Sequence, residues 1–183
     1  MAGDRAALIT LLKQRSVRFG DFTLASGAHS PYYIDCRLTT MSALGQILIG
    51  PLGLQALHDA GWSPDAIGGL TMGADPLAYA IAAASAATDR PIDAFSVRKD
   101  AKKHGTGRRI EGNFKPGDRV VVIEDVITSG GSAITAINAV REEGGEVIGL
   151  LALVDREAGG RARAEAAGIM VRSLVAASEL GIG

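Results

Sequence analysis

The chain has 183 residues, of which 47% are hydrophobic and 21% charged, and its formal net charge is −1. Its length suits a single domain of ordinary globular composition, and the near-neutral charge excludes a global attraction to nucleic acid or to an anionic membrane. The single cysteine, Cys36, excludes an internal disulfide and a multi-cysteine metal site. Because the N-terminus also lacks a signal-peptide pattern, we expect a cytoplasmic protein.

The first half of the chain is predicted to contain two helices with strand-like pieces between them. Apolar residues recur at helical spacing from Asp4 to Arg15. Gly20 and Gly27 then punctuate strand-like pieces around FTLAS and YYIDCR. A second helical region covers roughly Ser42 to Asp59, and its glycines together with Pro51 predict a core helix with a kink or a break.

The second half alternates short aliphatic runs with helical segments. The expected strands are AIGGL, DAFSV, RVVVIED, EVIGLLALVD and IMVRSLV, and the expected helices are PLAYAIAAASAA and SAITAINAVREEGG. Such alternation is typical of a parallel sheet covered on both faces, so the predicted fold class is α/β. The segment from Arg98 to Gly117 has few apolar residues and no regular period, which predicts a mobile loop.

The stretch VVVIEDVITSGGSA, Val120 to Ala133, carries the clearest functional pattern. Ligands of open parallel sheets bind beyond the carboxyl ends of the strands, where Glu124 and Asp125 stand. The glycines of the next turn, the hydroxyls of Thr128 and Ser129 and a helix start together suit a phosphate. A sugar 5-phosphate satisfies both parts, with its hydroxyls on the acids. The alternative is an ordinary turn in which the acids cap a helix.

The segment from Arg98 to Arg109 is strongly basic, because it holds six Lys and Arg residues and His104 against one acid, Asp100. A departing diphosphate gathers negative charge, so such a segment suits it. Taken alone, the cluster is also compatible with a solvated surface loop or with a small RNA-binding patch. Against RNA, no aromatic residues that could stack on bases are interleaved.

The stretch from Val120 to Ala133 resembles the phosphoribosyl diphosphate (PRPP) binding motif of the type I phosphoribosyltransferases. Within that family, FTLASGAHSPYYIDCR, RKDAKKHG and LVDREAGG resemble the base-binding strands, the catalytic loop and the orotate-binding strand end of the orotate phosphoribosyltransferases. The resemblance implies a single domain over residues 1–183. It would comprise a core of about 41–183, with a central, mainly parallel sheet flanked by helices, a small N-terminal hood of helix and strands at about 1–40, and a mobile catalytic loop at about 98–117.

The implied activity is transfer of the 5-phosphoribosyl group from PRPP to orotate, which forms orotidine 5-phosphate and diphosphate in de novo pyrimidine (UMP) biosynthesis. The implied catalytic residues are Lys102, Glu124 and Asp125. The implied PRPP-binding residues are Arg98, Lys99, Lys102, His104, Glu124, Asp125, Val126, Ile127, Thr128, Ser129, Gly130, Gly131 and Ser132. The implied orotate-binding residues are Ser26, Tyr32, Tyr33, Thr128 and Arg156.

The resemblance further implies Mg²⁺ as the cofactor, bridging substrate oxygens with few direct protein ligands, so that no protein metal site is expected. The expected partners are the two substrates and a second copy of the chain, in a homodimer that shares the catalytic loop between subunits. Neither nucleic acid nor a membrane is an expected partner.

The chain departs from the family pattern at two places. Many relatives carry lysines where this chain has Ala25 and Gly73, and Arg37 is a candidate substitute. Asp75 is either part of a turn that meets the diphosphate or a plain N-cap. Two other functions stay open: transfer to a purine or another base, and a non-catalytic PRPP-sensing regulator. The intact basic segment argues against the regulator.

Overall fold

The computed structural model describes residues 4–23, 29–99 and 109–182. Its strands are β1 (Val17–Thr23), β2 (His29–Ile34), β3 (Ala66–Leu70), β4 (Asp93–Val97), β5 (Ile110–Gly112), β6 (Arg119–Ile127), β7 (Glu146–Asp155) and β8 (Val171–Ala176). Its helices are α1 (Arg5–Arg15), α2 (Arg37–Thr40), α3 (Ala43–Asp59), α4 (Asp75–Ser85), α5 (Gly131–Glu142) and α6 (Gly160–Ala166), followed by a 3-10 helix (Ala177–Leu180).

A six-stranded sheet in the order β5-β4-β3-β6-β7-β8 forms the centre of the fold. All its neighbouring strands are parallel except β5, which runs antiparallel to β4 at one edge. The strands β1 and β2 form a separate antiparallel pair. The prediction of an α/β fold with a mainly parallel central sheet is confirmed, and the carboxyl ends of β3, β6 and β7 lie along one side of the sheet.

Strand β6 shows why the sheet is covered on both faces. Val121 and Ile123 pack into the hydrophobic cluster that contains residues of α1, α3 and α4. Val120 and Val122 pack into the second cluster, with residues of α5 and α6. Because alternate side chains of a strand point to opposite faces, both faces of β6 need apolar residues. This requirement explains the uninterrupted aliphatic run in the sequence.

Helix α3 runs unbroken through Pro51, so the predicted break is absent. Its glycines serve close packing instead. A Cβ added at Gly50 would lie 2.7 Å from the carbonyl oxygen of Ala80, and one added at Gly53 would overlap the side chain of Ile81. Small residues at these positions therefore let α3 and α4 approach each other closely.

Part of the predicted 98–117 loop is a strand. The three residues of β5 pair with β4, with Val97 opposite Ile110. Three residues are too few to show an alternating pattern, so β5 could not be predicted from the sequence. Residues 100–108 lie outside the described part of the chain, so the mobility of the loop and the division into hood, core and loop stay predictions. No helix within the described ranges has both the length and the apolarity to cross a bilayer.

Candidate active site

A cavity of about 350 Å³ opens at the carboxyl ends of the central strands. Its walls come from β2, the turn after β3, the end of β6, the start of α5 and the residue that follows β7. The predicted site residues on these walls are Tyr32, Tyr33, Lys99, Glu124, Asp125, Val126, Thr128, Ser132 and Arg156. One cavity therefore brings together residues that are up to 124 positions apart in the sequence.

Other predicted site residues are not on the cavity walls. Arg98 donates a hydrogen bond from its Nε to Glu111 Oε1 at 3.1 Å. The side chain of Ile127 is 1% exposed and packs in the core. Of the remaining ones that the structure describes, Ser129 and Gly130 belong to the turn before α5, and Gly131 is the first residue of α5. The predicted residues Ser26, Lys102 and His104 lie outside the described residues.

The turn from Thr128 to Gly131 has the geometry that a phosphate requires. Gly130 has a φ of 74°, in the left-handed region that glycine adopts readily. No side chain of the described chain caps α5, so its first N–H groups and its positive end are available to an anion. Helix α6 supports the turn from behind, because a Cβ added at Gly160 would lie 2.5 Å from the carbonyl oxygen of Thr128.

The first of the two acids at the end of β6, Glu124, has a perturbed pKa. Glu124 is 8% exposed. Burial, the negative charge of Asp125 and a hydrogen bond with Asp125 together raise the pKa of Glu124 to about 8. Asp125 accepts a hydrogen bond at Oδ1 from the backbone N–H of Val126, at 2.9 Å. Near neutral pH Glu124 therefore keeps its proton when no ligand is bound, which the sequence did not indicate.

The raised pKa of Glu124 predicts a pH-dependent stability. The ordinary pKa of the group is 4.5 and the folded value is about 8, so the folded state binds the extra proton between these values. Stability should therefore decrease as pH rises through this window. We expect Glu124→Gln to remove this decrease. Each pH unit within this window changes stability by at most about 1.4 kcal/mol, and each kcal/mol shifts Tm by roughly 2–4 °C in a chain of this size. Thermal melting of both proteins from pH 5 to 9 is the measurement, and parallel curves would contradict the prediction.

The turn after β3 contacts the acidic pair. A Cβ added at Gly73 would lie 2.7 Å from Cγ of Asp125, so a side chain at this position would require Asp125 to move. This contact gives a physical reason for glycine where many relatives carry lysine. Asp75 is not the N-cap of α4, since Ala74 occupies that position. Asp75 instead accepts a hydrogen bond at Oδ2 from the hydroxyl of Thr71, at 2.6 Å.

Also on the cavity wall, Arg156 and Tyr32 contact each other directly. The guanidinium carbon of Arg156 lies 5.0 Å from the centre of the Tyr32 ring, and Nη2 donates a hydrogen bond to the Tyr32 hydroxyl at 3.1 Å. Nε of Arg156 is buried and has no hydrogen-bond partner within the described residues. A planar cation with an unused donor suits a carboxylate.

Arg37 lies on the cavity wall but is already paired. Its Nε and Nη2 donate to the two carboxylate oxygens of Asp35 at 2.8 and 2.9 Å. These bonds hold the pKa of Asp35 below its usual range. Any contact of Arg37 with a substrate stays a prediction.

Sequence reasoning missed Arg161. Its Nε donates to Oδ2 of Asp155 at 2.8 Å, and Asp155 is 6% exposed at the end of β7. The sequence did indicate that Asp155 needs a positively charged partner, because Asp155 ends an aliphatic strand and a buried carboxylate must be paired. Sequence alone does not tell which arginine supplies it.

Comparisons with known proteins show the family of the chain. Residues 45–174 match the family model of the phosphoribosyl transferase domain. An orotate phosphoribosyltransferase from Aquifex aeolicus is 48% identical over 180 residues and covers 97% of each chain. One from Mycobacterium tuberculosis H37Rv is 46% identical over 183 residues, covering 100% of this chain and 99% of the relative.

Solved structures give the same result. The crystal structure of the M. tuberculosis H37Rv orotate phosphoribosyltransferase in complex with PRPP has a TM-score of 0.82 and 42% identity, covering 97% of this chain and 99% of that chain. An adenine phosphoribosyltransferase from Leishmania donovani has a TM-score of 0.66 at 18% identity, covering 97% of this chain and 84% of that chain, which is a likeness of fold alone.

Proposed function

Because the chain belongs to the phosphoribosyl transferase family, and within it to the orotate phosphoribosyltransferases, we propose that it transfers the 5-phosphoribosyl group of PRPP to orotate. The products are orotidine 5-phosphate and diphosphate, in de novo pyrimidine biosynthesis. The observation that carries this proposal is the convergence of the acidic pair, the phosphate turn and Arg156 on one cavity. The single, buried cysteine suits a reducing compartment, and we propose the cytoplasm.

Each part of the cavity has a role in the transfer. The turn before α5 would hold the 5-phosphate, while Glu124 and Asp125 would bind the ribose hydroxyls. As the bond from ribose C1 to diphosphate breaks and the bond to N1 of orotate forms, the ribose becomes cation-like, and the negative charge of the acidic pair stabilises it. Arg156 would bind the carboxylate of orotate. Lys99 and the basic segment would stabilise the departing diphosphate.

The acidic pair also fits Mg²⁺ that arrives with the substrate. No cluster of three or more potential ligands occurs among residues 4–23, 29–99 and 109–182. The two carboxyls at the end of β6 suit a hard cation that keeps substrate oxygens and waters as its other ligands. Mg²⁺ bound there would neutralise charge on the diphosphate. We therefore propose Mg²⁺ as the cofactor, with few direct protein ligands.

The choice of base is the part of the function that an assay tests directly. The protein, Mg²⁺ and PRPP are mixed with orotate, adenine, guanine, hypoxanthine or uracil, and diphosphate release is followed. We expect release with orotate, because Arg156 suits an acidic base. Preference for a purine would contradict the proposed substrate, and no release with any base would favour the PRPP-sensing regulator.

We also propose a homodimer, because an apolar surface adjoins the cavity. This surface, the α3–α4 patch, consists of large side chains that are 43–70% exposed: Leu38, Met41, Leu44, Ile47, Met72 and Tyr79. Gln46 joins its parts, since Nε2 donates to the carbonyl oxygens of Thr40 and Pro76. Met72 also lines the cavity.

The composition of the α3–α4 patch favours a second copy of the chain as its partner. No charged residue or histidine occurs from Leu38 to Leu57 or from Pro76 to Thr88, whereas helices that face water carry charges. The six side chains expose roughly 100 Å² each, so the patch approaches the about 800 Å² per partner of a standard interface. Because the patch borders the cavity, a dimer formed here would bring both active sites close to the interface, as a shared loop requires.

Ile47→Glu is expected to separate the dimer. Ile47 is 70% exposed at the patch, and burying an unpaired carboxylate at an interface costs several kcal/mol, which weakens association by orders of magnitude. Analytical ultracentrifugation should show a dimer for the wild type, a monomer for Ile47→Glu, and turnover that falls with the dimer. Met170→Glu is the control, because Met170 is also exposed (54%) but lies outside the patch. An Ile47→Glu protein that stays dimeric would show that the interface lies elsewhere.

A further inference from the structure

The turn that carries Arg156 is held by several contacts. The backbone N–H of Arg156 donates to the carbonyl oxygen of Ile127 at 3.0 Å. The N–H of Glu157 donates to Oδ1 of Asp155 at 2.9 Å. Glu157 has a φ of 57°, in the left-handed region that residues other than glycine rarely adopt. Its carboxylate accepts a hydrogen bond from the N–H of Ser178 at 2.8 Å. Such a backbone persists only where its surroundings hold it in place.

Arg161 fixes the acid on which this turn depends. Its Nε donates to Oδ2 of Asp155 at 2.8 Å, while Nη1 and Nη2 donate to the carbonyl oxygen of Val171 at 3.2 Å and to Oγ of Ser173 at 2.9 Å. The three bonds join Asp155 to strand β8. Since Asp155 is 6% exposed, loss of the arginine would leave a buried carboxylate without its cation. The second acid near Arg161, Glu165 at 3.8 Å, is more exposed.

We propose that Arg161 is a positioning residue for orotate, acting on Arg156 through the buried carboxylate of Asp155. One oxygen of Asp155 binds Arg161, and the other holds the N–H of Glu157, directly after Arg156. Arg161 is not on the cavity wall. Its loss would let the turn relax toward an ordinary φ and move the guanidinium of Arg156 away from the ring of Tyr32. The inference rests on the proposed function, in which Arg156 binds orotate.

A double-mutant cycle between Arg161 and Arg156 tests the inference. Initial rates give KM for orotate and for PRPP in the wild type, Arg161→Met, Arg156→Ala and the double variant. We expect Arg161→Met to raise the orotate KM about 10-fold and to leave the PRPP KM within about twofold. A misplacement of about 1 Å can cost up to about 100-fold, and here the guanidinium of Arg156 is displaced but not removed. In the Arg156→Ala background the second substitution should add nothing, since residues that act through one another are not additive.

Two further variants separate positioning from stability. Arg161→Lys keeps a cation beside Asp155 without the planar fork, so we expect an orotate KM between those of the wild type and Arg161→Met. If Arg161→Met does not fold, Arg161→Lys takes its place in the double-mutant cycle. Arg5→Met is the matched control, because Arg5 likewise donates to a carboxylate, on Glu179, and to a β8 carbonyl oxygen, on Leu174, away from the cavity. Arg5→Met should lower Tm without changing the orotate KM.

The possible failures differ. An unchanged orotate KM in the Arg161 variants, or a rise that persists in the Arg156→Ala background, would overturn the role of Arg161 while the proposed function stands. If Arg156→Ala itself left the orotate KM unchanged, the premise would fail, and the role of Arg161 with it.

Discussion

Asp125→Asn is expected to lower kcat/KM by about 10²–10³-fold with little loss of folding. Removal of one preorganised electrostatic group at a site of developing charge has effects of this size. Oδ1 of Asp125 accepts a hydrogen bond from the N–H of Val126. In Asp125→Asn the amide oxygen would keep this bond, so the NH2 group would take the place of Oδ2, where a ribose hydroxyl needs an acceptor. The negative charge that stabilises the cation-like ribose is lost as well.

Steady-state kinetics with both substrates, together with thermal melting, check this prediction. Asp118→Asn is the control, because Asp118 stands just before β6, at the other end of the same strand, where its Oδ2 accepts a hydrogen bond from the N–H of Lys115. We expect near wild-type kinetics for Asp118→Asn. Since the charge of Asp125 helps to raise the pKa of Glu124, Asp125→Asn should also let Glu124 ionise at lower pH. Wild-type kcat/KM in Asp125→Asn would exclude the acidic pair from the reaction.

Lys102→Ala is expected to lower kcat by about 10²–10³-fold, because each donor at a departing diphosphate contributes about 2.7–4 kcal/mol. Lys102 lies outside the described residues, but both ends of its segment are placed. The N–H of Arg98 donates to the carbonyl oxygen of Arg109 at 2.9 Å, and Lys99 lines the cavity. The described residues on either side of this segment therefore lie next to each other beside the site.

The matched control for Lys102→Ala is Lys115→Ala, since Lys115 is an exposed lysine beyond β5 in the same predicted loop. Stopped-time turnover assays and melting curves should show a large loss of kcat for Lys102→Ala alone, with both proteins folded. Normal turnover in Lys102→Ala would remove the basic segment from the mechanism.

Sharing of the loop between subunits has its own test. Lys102→Ala and Asp125→Asn subunits are mixed, and subunit exchange is verified. If the loop of one subunit completes the site of the other, a mixed dimer contains one intact site, and part of the activity returns. No recovery after exchange would place loop and acidic pair in the same subunit.

The sequence alone determined the fold class and the position of the main site. Uninterrupted aliphatic runs are required where both faces of a parallel strand are buried, and the acids and the glycine-rich turn follow such a run directly, so one stretch predicted strand β6, its acidic end and the phosphate turn. Arg156, which follows the aliphatic run of β7, was implied by the resemblance of LVDREAGG to the orotate-binding strand end of the family. These features depend on residues that are neighbours in the chain.

The tertiary structure decided what depends on residues far apart in the sequence. The proton of Glu124 results from burial, which no local pattern records, and the absence of a side chain at Gly73 results from its contact with Asp125, 52 positions later. Likewise, the guanidinium of Arg161 donates hydrogen bonds both to Asp155 and to strand β8. Periodicity and composition determine which elements form, whereas pKa values and pairing depend on the desolvation and distances that exist only once those elements have packed.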